Sequence, residues 1–458
     1  MDYKSIDEIL EKAQYAEGKS FQDFDINQRL TSKGNKGGLG QIIEEGLFGY
    51  ELNSTNEADF ADLGVELKVT PIKVNKDKTL SAKERLVLNI INYMEEVNYT
   101  FETSSFWRKN NQLLIMFYLW EKELKKSDYK ILKSVLFTFP AEDLEIIKDD
   151  WKIIVGKIRA GKAEELSESD TMYLGACTKG TTSNSLRVQP FSDVPAMQRA
   201  FSLKQSYMTS LVRKYIDHEK IVSFATPEDL KENSLKDILY ARFNLYTGMD
   251  VIEISEEIGY KVNPSNKATI VHMISAMLGI KGTKLKDIEE FSKANIEFKT
   301  VRLEPNGKPK ESMSFENVDF SRWLADPFEE SQFYEKFEET KFLFVVFQYD
   351  ETAKENPNRV PYLKKAVLWN MPEKIIQNEL KEMWTAGRKV LQEGVKLTPT
   401  KRGMTNNLPK STESTVAHIR PKAKDGSDTV KLPDGQFITK QAYWLNRDFV
   451  VKIINEEI

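Results

Sequence analysis

Hydrophobic positions along the chain follow two periodicities, which predict strands and helices. The segments "LLIMFYLW" (113–120) and "KFLFVVFQY" (341–349) are continuous apolar runs, typical of strands buried on both faces. The segment "VELKVTPI" (65–72) alternates apolar and polar residues, as a half-buried strand does. "SIDEILEKAQ" (5–14) has a serine start and helical spacing. We therefore predict an α/β (mixed α+β) chain whose central mixed sheets are flanked by helices.

An internal repeat indicates that the chain carries a duplicated domain. The shift from Glu66 to Glu297 equals the shift from Lys36 to Lys267, and five segments recur in the same order. The paired segments are "SIDEILEKAQYAEG" with "SLKDILYARFNLYTG", "NKGGLGQIIEEGLFG" with "NKATIVHMISAMLG", "EADFADLGVELKVTPI" with "IEEFSKANIEFKTVRL", "FETSSF" with "KESMSF", and "YLGACTKG…FSLKQSYMTSLVRKYI" with "AHIRPKAK…FITKQAYWLNRDFVVKII". We predict a first domain at 1–218, a linker at 219–232 and a second domain at 233–458. Residues 396–435, rich in Thr, Ser, Lys, Pro and Gly, are predicted to form a long loop region.

Composition narrows the class of protein. Of 458 residues, 40% are hydrophobic and 30% charged, which suits a packed core. The single cysteine, Cys177, allows no internal disulfide and fits a reducing compartment. The first residues show no secretory signal and no apolar run is long enough to span a membrane, so we expect a cytoplasmic protein without a membrane partner. The net charge of −4 argues weakly against nucleic acid, although acidic outer faces can offset a basic cleft.

Candidate chemistry lies in the stretch "ADFADLGVELKVTP" (58–71). On a strand, Glu66 and Lys68 share one face, and Asp59 lies across a bend from which it could meet Glu66 at a metal ion. A nearby ammonium group can orient an attacking water. For this pattern alone, a half-buried strand with a solvated charged face is the better interpretation, because the motif is short.

The glycine-led helix "GGLGQIIEEGLFG" adds a second source of carboxylate. At helical spacing Glu44 borders the apolar stripe and Glu45 points away from it. Lys36, at the mouth of this helix, and Lys109, just before a buried strand, could approach a phosphate; both could also be surface lysines. The scattered histidines and lone Cys177 exclude a zinc site, and no Walker, Rossmann or serine-elbow motif is present.

These motifs resemble a known family. "KGGLGQIIEEGLFG" followed by "DFADLGVELKVTP" is similar to the signature of the MutH-like endonucleases, which cut at GATC. The resemblance continues through "KERLVLNIINY", "FETSSFWRKNN", "DWKIIVGKIRAGKAEEL", "YLGACTKG" and "FSLKQSYMTS". With the duplication, it is strongest to the two-domain GATC-cutting restriction endonucleases of the Sau type, over nearly the whole chain. The resemblance implies two MutH-like domains in tandem and Mg²⁺-dependent hydrolysis of phosphodiester bonds.

The resemblance also implies roles for residues of the first half. The acids of the metal site fall on Asp59 and Glu66, and the site lysine falls on Lys68. The helix glutamate falls on Glu44, while Glu45 stays open because one extra residue separates the helix from Asp59. The further lysine, before a buried strand, falls on Lys109.

For DNA reading, the family segment Arg-Pro-Lys falls on "ACTKG", where Lys179 keeps the lysine and Cys177 and Thr178 depart from it. The loop around Ser202 to Ser206, with Lys204, is expected to assist the reading. Lysines are common partners of guanine O6 and N7, and lysine-to-phosphate contacts make binding depend on salt.

The second half keeps part of the site. Glu290, Glu297 and Lys299 fall on the positions of Asp59, Glu66 and Lys68, while Ser275 replaces the helix glutamate. The reading segment is complete there, and the predicted DNA-binding residues are Arg420, Lys422 and Lys440. This half is expected to bind DNA as an allosteric domain without useful catalysis.

The leading hypothesis is thus a type II restriction endonuclease that cuts both strands at GATC, with a second GATC copy bound by the second half. One active site cuts one strand, so we expect a homodimer induced by DNA. A cognate methyltransferase would share the target without needing to bind this chain. The alternatives are a strand-specific nicking endonuclease of mismatch repair and a non-catalytic DNA-binding regulator.

Overall fold

The computed structural model describes residues 3–31, 38–50, 57–180, 185–219, 222–261, 263, 267–280, 287–400 and 403–458. Both halves of the chain contain helices and strands, as the predicted mixed α/β class requires. The α-helices are α1 Ile6–Tyr15, α2 Gly38–Ile42, α3 Tyr93–Glu96, α4 Ser105–Asn110, α5 Ala141–Arg159, α6 Gln205–Tyr215, α7 Pro227–Glu232, α8 Leu235–Asn244, α9 Val251–Glu257, α10 Lys267–Met277, α11 Glu289–Ala294, α12 Phe320–Ala325, α13 Gln332–Glu339, α14 Glu373–Ile375, α15 Lys381–Glu393 and α16 Arg447–Ile454. Two π-helical turns are Ile43–Phe48 and Ile376–Leu380.

Strands occupy both halves of the chain. They are β1 Glu66–Val74, β2 Leu80–Ala82, β3 Leu86–Ile90, β4 Gln112–Leu119, β5 Ile131–Thr138, β6 Leu174–Thr178, β7 Leu186–Gln189, β8 Ser192–Met197, β9 Arg199–Leu203, β10 Ile296–Leu303, β11 Met313–Asn317, β12 Lys341–Gln348, β13 Tyr362–Asn370, β14 Thr398–Thr400, β15 Gly403–Thr405, β16 Ala417–Pro421, β17 Thr429–Lys431, β18 Phe437–Thr439 and β19 Gln441–Leu445. Several of them lie within 396–435, so the prediction of a long loop there is wrong.

The chain forms two compact units. The first contains Met1–Leu235 together with Lys286–Asn295, and the second contains Lys236–Leu285 and Ile296–Ile458. The predicted limits of the duplicated domains remain a prediction, because compact packing need not follow ancestry. The segment predicted as a linker, 219–232, includes α7, which begins with Thr226 as its cap and Pro227 in its first turn.

Each unit is built around a small mixed sheet, as predicted. In the first unit the order is β2-β1-β4-β5, with β1 and β4 parallel and the outer pairs antiparallel. In the second unit it is β10-β12-β13, with β10 parallel to β12 and β12 antiparallel to β13. The central strands β4 and β12 are buried along nearly their whole length. Both faces of these strands are covered, which explains their unbroken apolar sequences.

Each unit also carries a second, antiparallel sheet. Its order is β3-β9-β6 in the first unit and β11-β19-β16 in the second. Leu203 faces Leu174 and Leu86 in the first unit, while Leu445 faces Ala417 and Met313 in the second. This register fixes which residues of the two halves are structurally equivalent.

The register corrects one pairing of the repeat. "FETSSF" leads into α4, whereas "KESMSF" enters β11, which is the counterpart of β3. The true counterpart is "FEESQFYEK" (328–336), which leads into α13. In both helices the capping serine accepts a bond from the third amide of the helix, Ser104 from Trp107 and Ser331 from Tyr334.

Helix α11 packs within the first unit through a buried ion pair. Lys293 Nζ lies 2.7 and 2.8 Å from the two carboxylate oxygens of Asp143 on α5, and both side chains are at most 4% exposed. Tyr207 Oη donates to Asp143 over 2.8 Å, and Glu289 lies 2.6 Å from Lys293. The ion pair is therefore completed by hydrogen bonds, which a buried charge requires.

We predict that Asp143→Ala destabilises the protein by about 3–5 kcal/mol, because Lys293 would stay buried with only the more exposed Glu289 as its partner. Denaturant unfolding followed by fluorescence measures the loss. The control is Asp149→Ala, whose ion pair with Lys152 is exposed, and which should cost less than about 1 kcal/mol. Equal effects of the two variants would contradict the prediction.

Candidate active site

A π-helical turn presents the first carboxylate. The sequence predicts a regular helix over "GGLGQIIEEGLFG", but α2 widens after Ile42 into the π turn. A Cβ at Gly46 would lie 1.8 Å from the carbonyl oxygen of Phe24, so the turn needs glycine there to pack. Ile43, Leu47 and Phe48 are buried on the core side. Single π turns inside helices often occur at functional sites.

A tight bend brings the second and third carboxylates together. Asp59 Oδ2 accepts a hydrogen bond from the Leu67 amide over 2.9 Å, and Glu66 Oε2 accepts one from the Asp59 amide over 3.1 Å. Between them, Gly64 has φ +66°, a left-handed conformation that suits glycine. These reciprocal bonds hold both carboxylates beside the first residue of β1.

Two lysines surround the Glu66 carboxylate. Lys68 Nζ lies 2.7 Å from Glu66 Oε1 and 3.3 Å from the carbonyl oxygen of Leu88. Lys109 Nζ, from the helix that precedes β4, lies 3.8 Å from the same Glu66 oxygen. Glu66 itself is 3% exposed. The strand, the bend and two helices thus converge on one point.

The structure distinguishes Glu44 from Glu45. Burial, followed by the negative charges of Asp59 and Glu66, raises the pKa of Glu44 to about 7. Glu45 instead faces Arg29, whose Nε and Nη2 lie 2.5 and 2.7 Å from its oxygens, and this hydrogen-bonded pair lowers the pKa of Glu45. Of the two, Glu44 is the carboxylate beside Asp59 and Glu66.

The donor set fits a hard divalent cation. Burial also raises the pKa of Glu66, and the charge of Lys68 does not fully offset it. Three carboxylates crowded in a half-buried place repel one another, and oxygen atoms are the ligands that Mg²⁺ and Ca²⁺ prefer. Asp59, Glu66 and Glu44 are therefore the residues that would hold such an ion.

Comparison with known proteins identifies the family of the chain. The family model for the DNA mismatch repair enzyme MutH matches residues 48–150 and again residues 281–381. The type II restriction enzyme Sau3AI of Staphylococcus aureus is 37% identical over 97% of this chain and 97% of its own length. The chain belongs to the Sau3AI family of type II restriction enzymes.

Membership of the Sau3AI family confirms the predicted class of enzyme, a site-specific deoxyribonuclease that acts on DNA, and the tandem MutH-like fold. DNA mismatch repair protein MutH of Actinobacillus pleuropneumoniae serotype 3 (strain JL03) is 26% identical over 46% of this chain and 95% of its own length. MutH of Shewanella woodyi (strain ATCC 51908 / MS32) is 29% identical over 40% and 79%. Within the described residues, no helix is both long and apolar enough to cross a membrane.

The predicted DNA-reading residues of this Sau3AI-family chain differ in accessibility. Lys179 follows β6 and is half-buried, while Arg420 and Lys422, at the end of β16, are exposed. Lys440 is half-buried and pairs with Asp428. Lys36 lies outside the described residues. Each role in DNA binding remains a prediction.

Ser202 and Lys204 are not brought to that surface. Ser202 is fully buried between β3 and β6, and Lys204 is buried with its Nζ 2.7 Å from the carbonyl oxygen of Thr171. The sequence pattern suggested a reading loop because it could not show that Lys204, the residue just before α6, is buried in the core. Their positions give no support to a contact with DNA.

The second half brings only part of the site together. Lys299 Nζ lies 2.5 Å from Glu297, and Lys336 of α13 also contacts this carboxylate. Glu290 instead accepts hydrogen bonds from Ser223 Oγ and from the amides of Phe224 and Ala225, within the first unit. Ser275, at the position of Glu44, is buried on α10.

Sequence reasoning missed two residues. Lys336 is the counterpart of Lys109, and the match of "FETSSFWRK" with "FEESQFYEK" could have revealed it. Tyr50 forms part of the wall beside the acids: its amide donates to the Glu44 carbonyl, and its ring lies 5.5 Å from that of Phe60. Its hydroxyl is shielded and has no hydrogen-bond partner in the described part of the chain. No sequence pattern marks Tyr50.

We predict that Glu44→Gln raises the melting temperature at pH 8 in the absence of divalent cations. With its pKa about 7 against an ordinary value of 4.5, Glu44 favours the folded state only while protonated. This stabilisation is complete below pH 4.5 and is lost as the pH rises through 7, so the advantage of the variant should vanish at pH 4.

Glu45→Gln is the matched control, with the opposite sign. Arg29 stabilises the ionised form of Glu45, so this variant should melt below the parent protein at pH 8. Thermal melts at both pH values test the pair. A Glu44→Gln variant that melts as low as Glu45→Gln at pH 8 would contradict the assignment of Glu44 to the acidic cluster.

Proposed function

We propose that the chain cleaves both strands of DNA at GATC with Mg²⁺, through a single active site in its first half. The observation that carries the proposal is the convergence of Glu44, Asp59 and Glu66 with Lys68 and Lys109 close by. The GATC target rests on the resemblance of the sequence motifs to the MutH-like signature.

In the proposed reaction, each residue has a distinct task. The three carboxylates hold the cation, which would polarise the phosphate and activate a water. Lys68, already fixed by Glu66 and Leu88, orients the attacking water and stabilises the developing negative charge. Lys109 contacts the region of the scissile phosphate. Lys36 is proposed for the same region, and Lys179 for base reading.

We propose that the second half binds another GATC copy as an allosteric domain and does not cut it. Glu297 has no carboxylate partner from the Ser275 position, and Glu290 is bonded to residues 223–225. Two chains would then meet on DNA to break both strands. The buried, lone Cys177 supports a reducing compartment, and we propose the cytoplasm.

We expect Glu66→Gln and Lys68→Ala each to lower the cleavage rate by at least about a hundredfold. The first would weaken a ligand of the cation, and the second would remove positive charge at the reacting phosphate. DNA binding in Ca²⁺ should largely survive. Lys73→Ala is the control, since Lys73 lies on the opposite face of β1. Loss of binding in parallel with cleavage would instead favour the non-catalytic regulator.

Plasmid cleavage tests the need for two sites. A supercoiled plasmid with two GATC sites should be cut faster than a plasmid with one, and the product should be linear. Sequencing of the ends identifies the target. Equal rates without a DNA-dependent dimer would refute the allosteric second site, and persistent nicked circles would favour a nicking enzyme.

A further inference from the structure

The second half preserves the frame of the active site while changing its charge. Glu297 faces Phe342 across the parallel strands β10 and β12, as Glu66 faces Leu113 across β1 and β4. In each unit a lysine from the helix before the central strand reaches this glutamate, Lys109 in the first and Lys336 in the second.

The charge balance of the two clusters is opposite. In the first, Glu44, Asp59 and Glu66 outnumber Lys68 and Lys109. In the second, a single glutamate, Glu297, lies between Lys299 and Lys336, and the further carboxylate, Glu316, is 62% exposed at the rim, 2.7 Å from Lys336. An exposed ion pair contributes little, so Glu316 can give way to another anion.

Lys299 and Lys336 hold Glu297 in its ionised form. Burial would raise the pKa of this carboxyl, but the two ammonium groups outweigh burial and lower the pKa. The second cluster thus contains two cations around one buried carboxylate, where the first contains an excess of carboxylates.

The second cluster also adjoins the predicted reading segment. Lys299 Nζ lies 4.5 Å from the centre of the Phe315 ring, and Lys422 Nζ donates to the Phe315 carbonyl over 2.5 Å. The register of the antiparallel sheets makes Phe315 the counterpart of Leu88, whose carbonyl is approached by Lys68 in the first unit. Two lysines, Lys299 and Lys422, thus lie against one residue of β11.

We propose that Lys299 and Lys336 bind a backbone phosphate of DNA directly, without a divalent cation, at the position where the first unit holds its metal. The proposal rests on the proposed function, in which the second half binds DNA. Glu297 orients the two ammonium groups, whose side chains remain 20% exposed and so can reach a ligand.

Two variants with opposite expected effects test this proposal. Binding of a fluorescent GATC duplex to the full chain is measured by anisotropy in EDTA over a series of salt concentrations. Lys336→Gln should weaken binding and reduce the slope of log affinity against log salt by about 0.9, as expected for one lost phosphate contact. Glu297→Gln should strengthen binding, because it removes a negative charge that would repel the phosphate, while the amide oxygen can still accept a hydrogen bond from a lysine. Lys336→Arg should retain the parental slope.

The controls are Lys381→Gln and Glu329→Gln. Each disrupts another ion pair of the second unit, in which Lys381 Nζ lies 2.6 Å from Glu329. Neither variant should change the slope. Weakening by both Lys336→Gln and Glu297→Gln, or an unchanged slope for Lys336→Gln, would overturn the phosphate site. If DNA binding required a divalent cation and Glu297→Gln abolished that requirement, the phosphate site would also be overturned, and a metal site would be supported instead. Equal affinity for GATC and scrambled duplexes would refute the specific second site but leave the slope test intact.

Discussion

Repulsion among three carboxylates, one buried and two half-buried, is the constraint on which the first unit depends. Folding would not bring Glu44 and Glu66 beside Asp59 for stability, because burial and neighbouring negative charge both disfavour the charged forms of these two glutamates. The surrounding structure imposes the cluster through a π turn, a hydrogen-bonded bend and the first residue of a strand. Such a cost is typical of a site built for a ligand.

Duplication shows how easily this constraint can be relaxed. With Ser275 in place of a helix glutamate and Glu290 bonded elsewhere, the second unit keeps the sheet, the capped helix and both lysines while losing the crowding of acids. The order β1-β4-β5 recurs as β10-β12-β13, so the backbone frame does not depend on the acids. Function can then diverge by changes in a few side chains.

The sequence was informative where local pattern and chemistry coincide. The apolar runs of β4 and β12, the alternation in β1 and the placement of Asp59, Glu66 and Lys68 all follow from short-range periodicity. The π turn, the burial of Lys204 and the equivalence of Lys336 with Lys109 do not. They depend on tertiary packing and on strand register, which sequence matching cannot detect. The match of "FETSSF" with "KESMSF", for example, paired the start of a helix with a strand.

Helix α11 has a consequence for the history of the chain. It belongs to the compact first unit, yet the chain runs from it directly into β10 of the second. A fragment that ended before α11 would bury Asp143 and Tyr207 without Lys293. The segments of the two units thus alternate along the polypeptide. A gene split at a single point would therefore give two proteins of which at least one lacks part of its unit. With α11 of the first unit between two segments of the second, the duplicated halves can diverge in chemistry but cannot easily become two separate proteins.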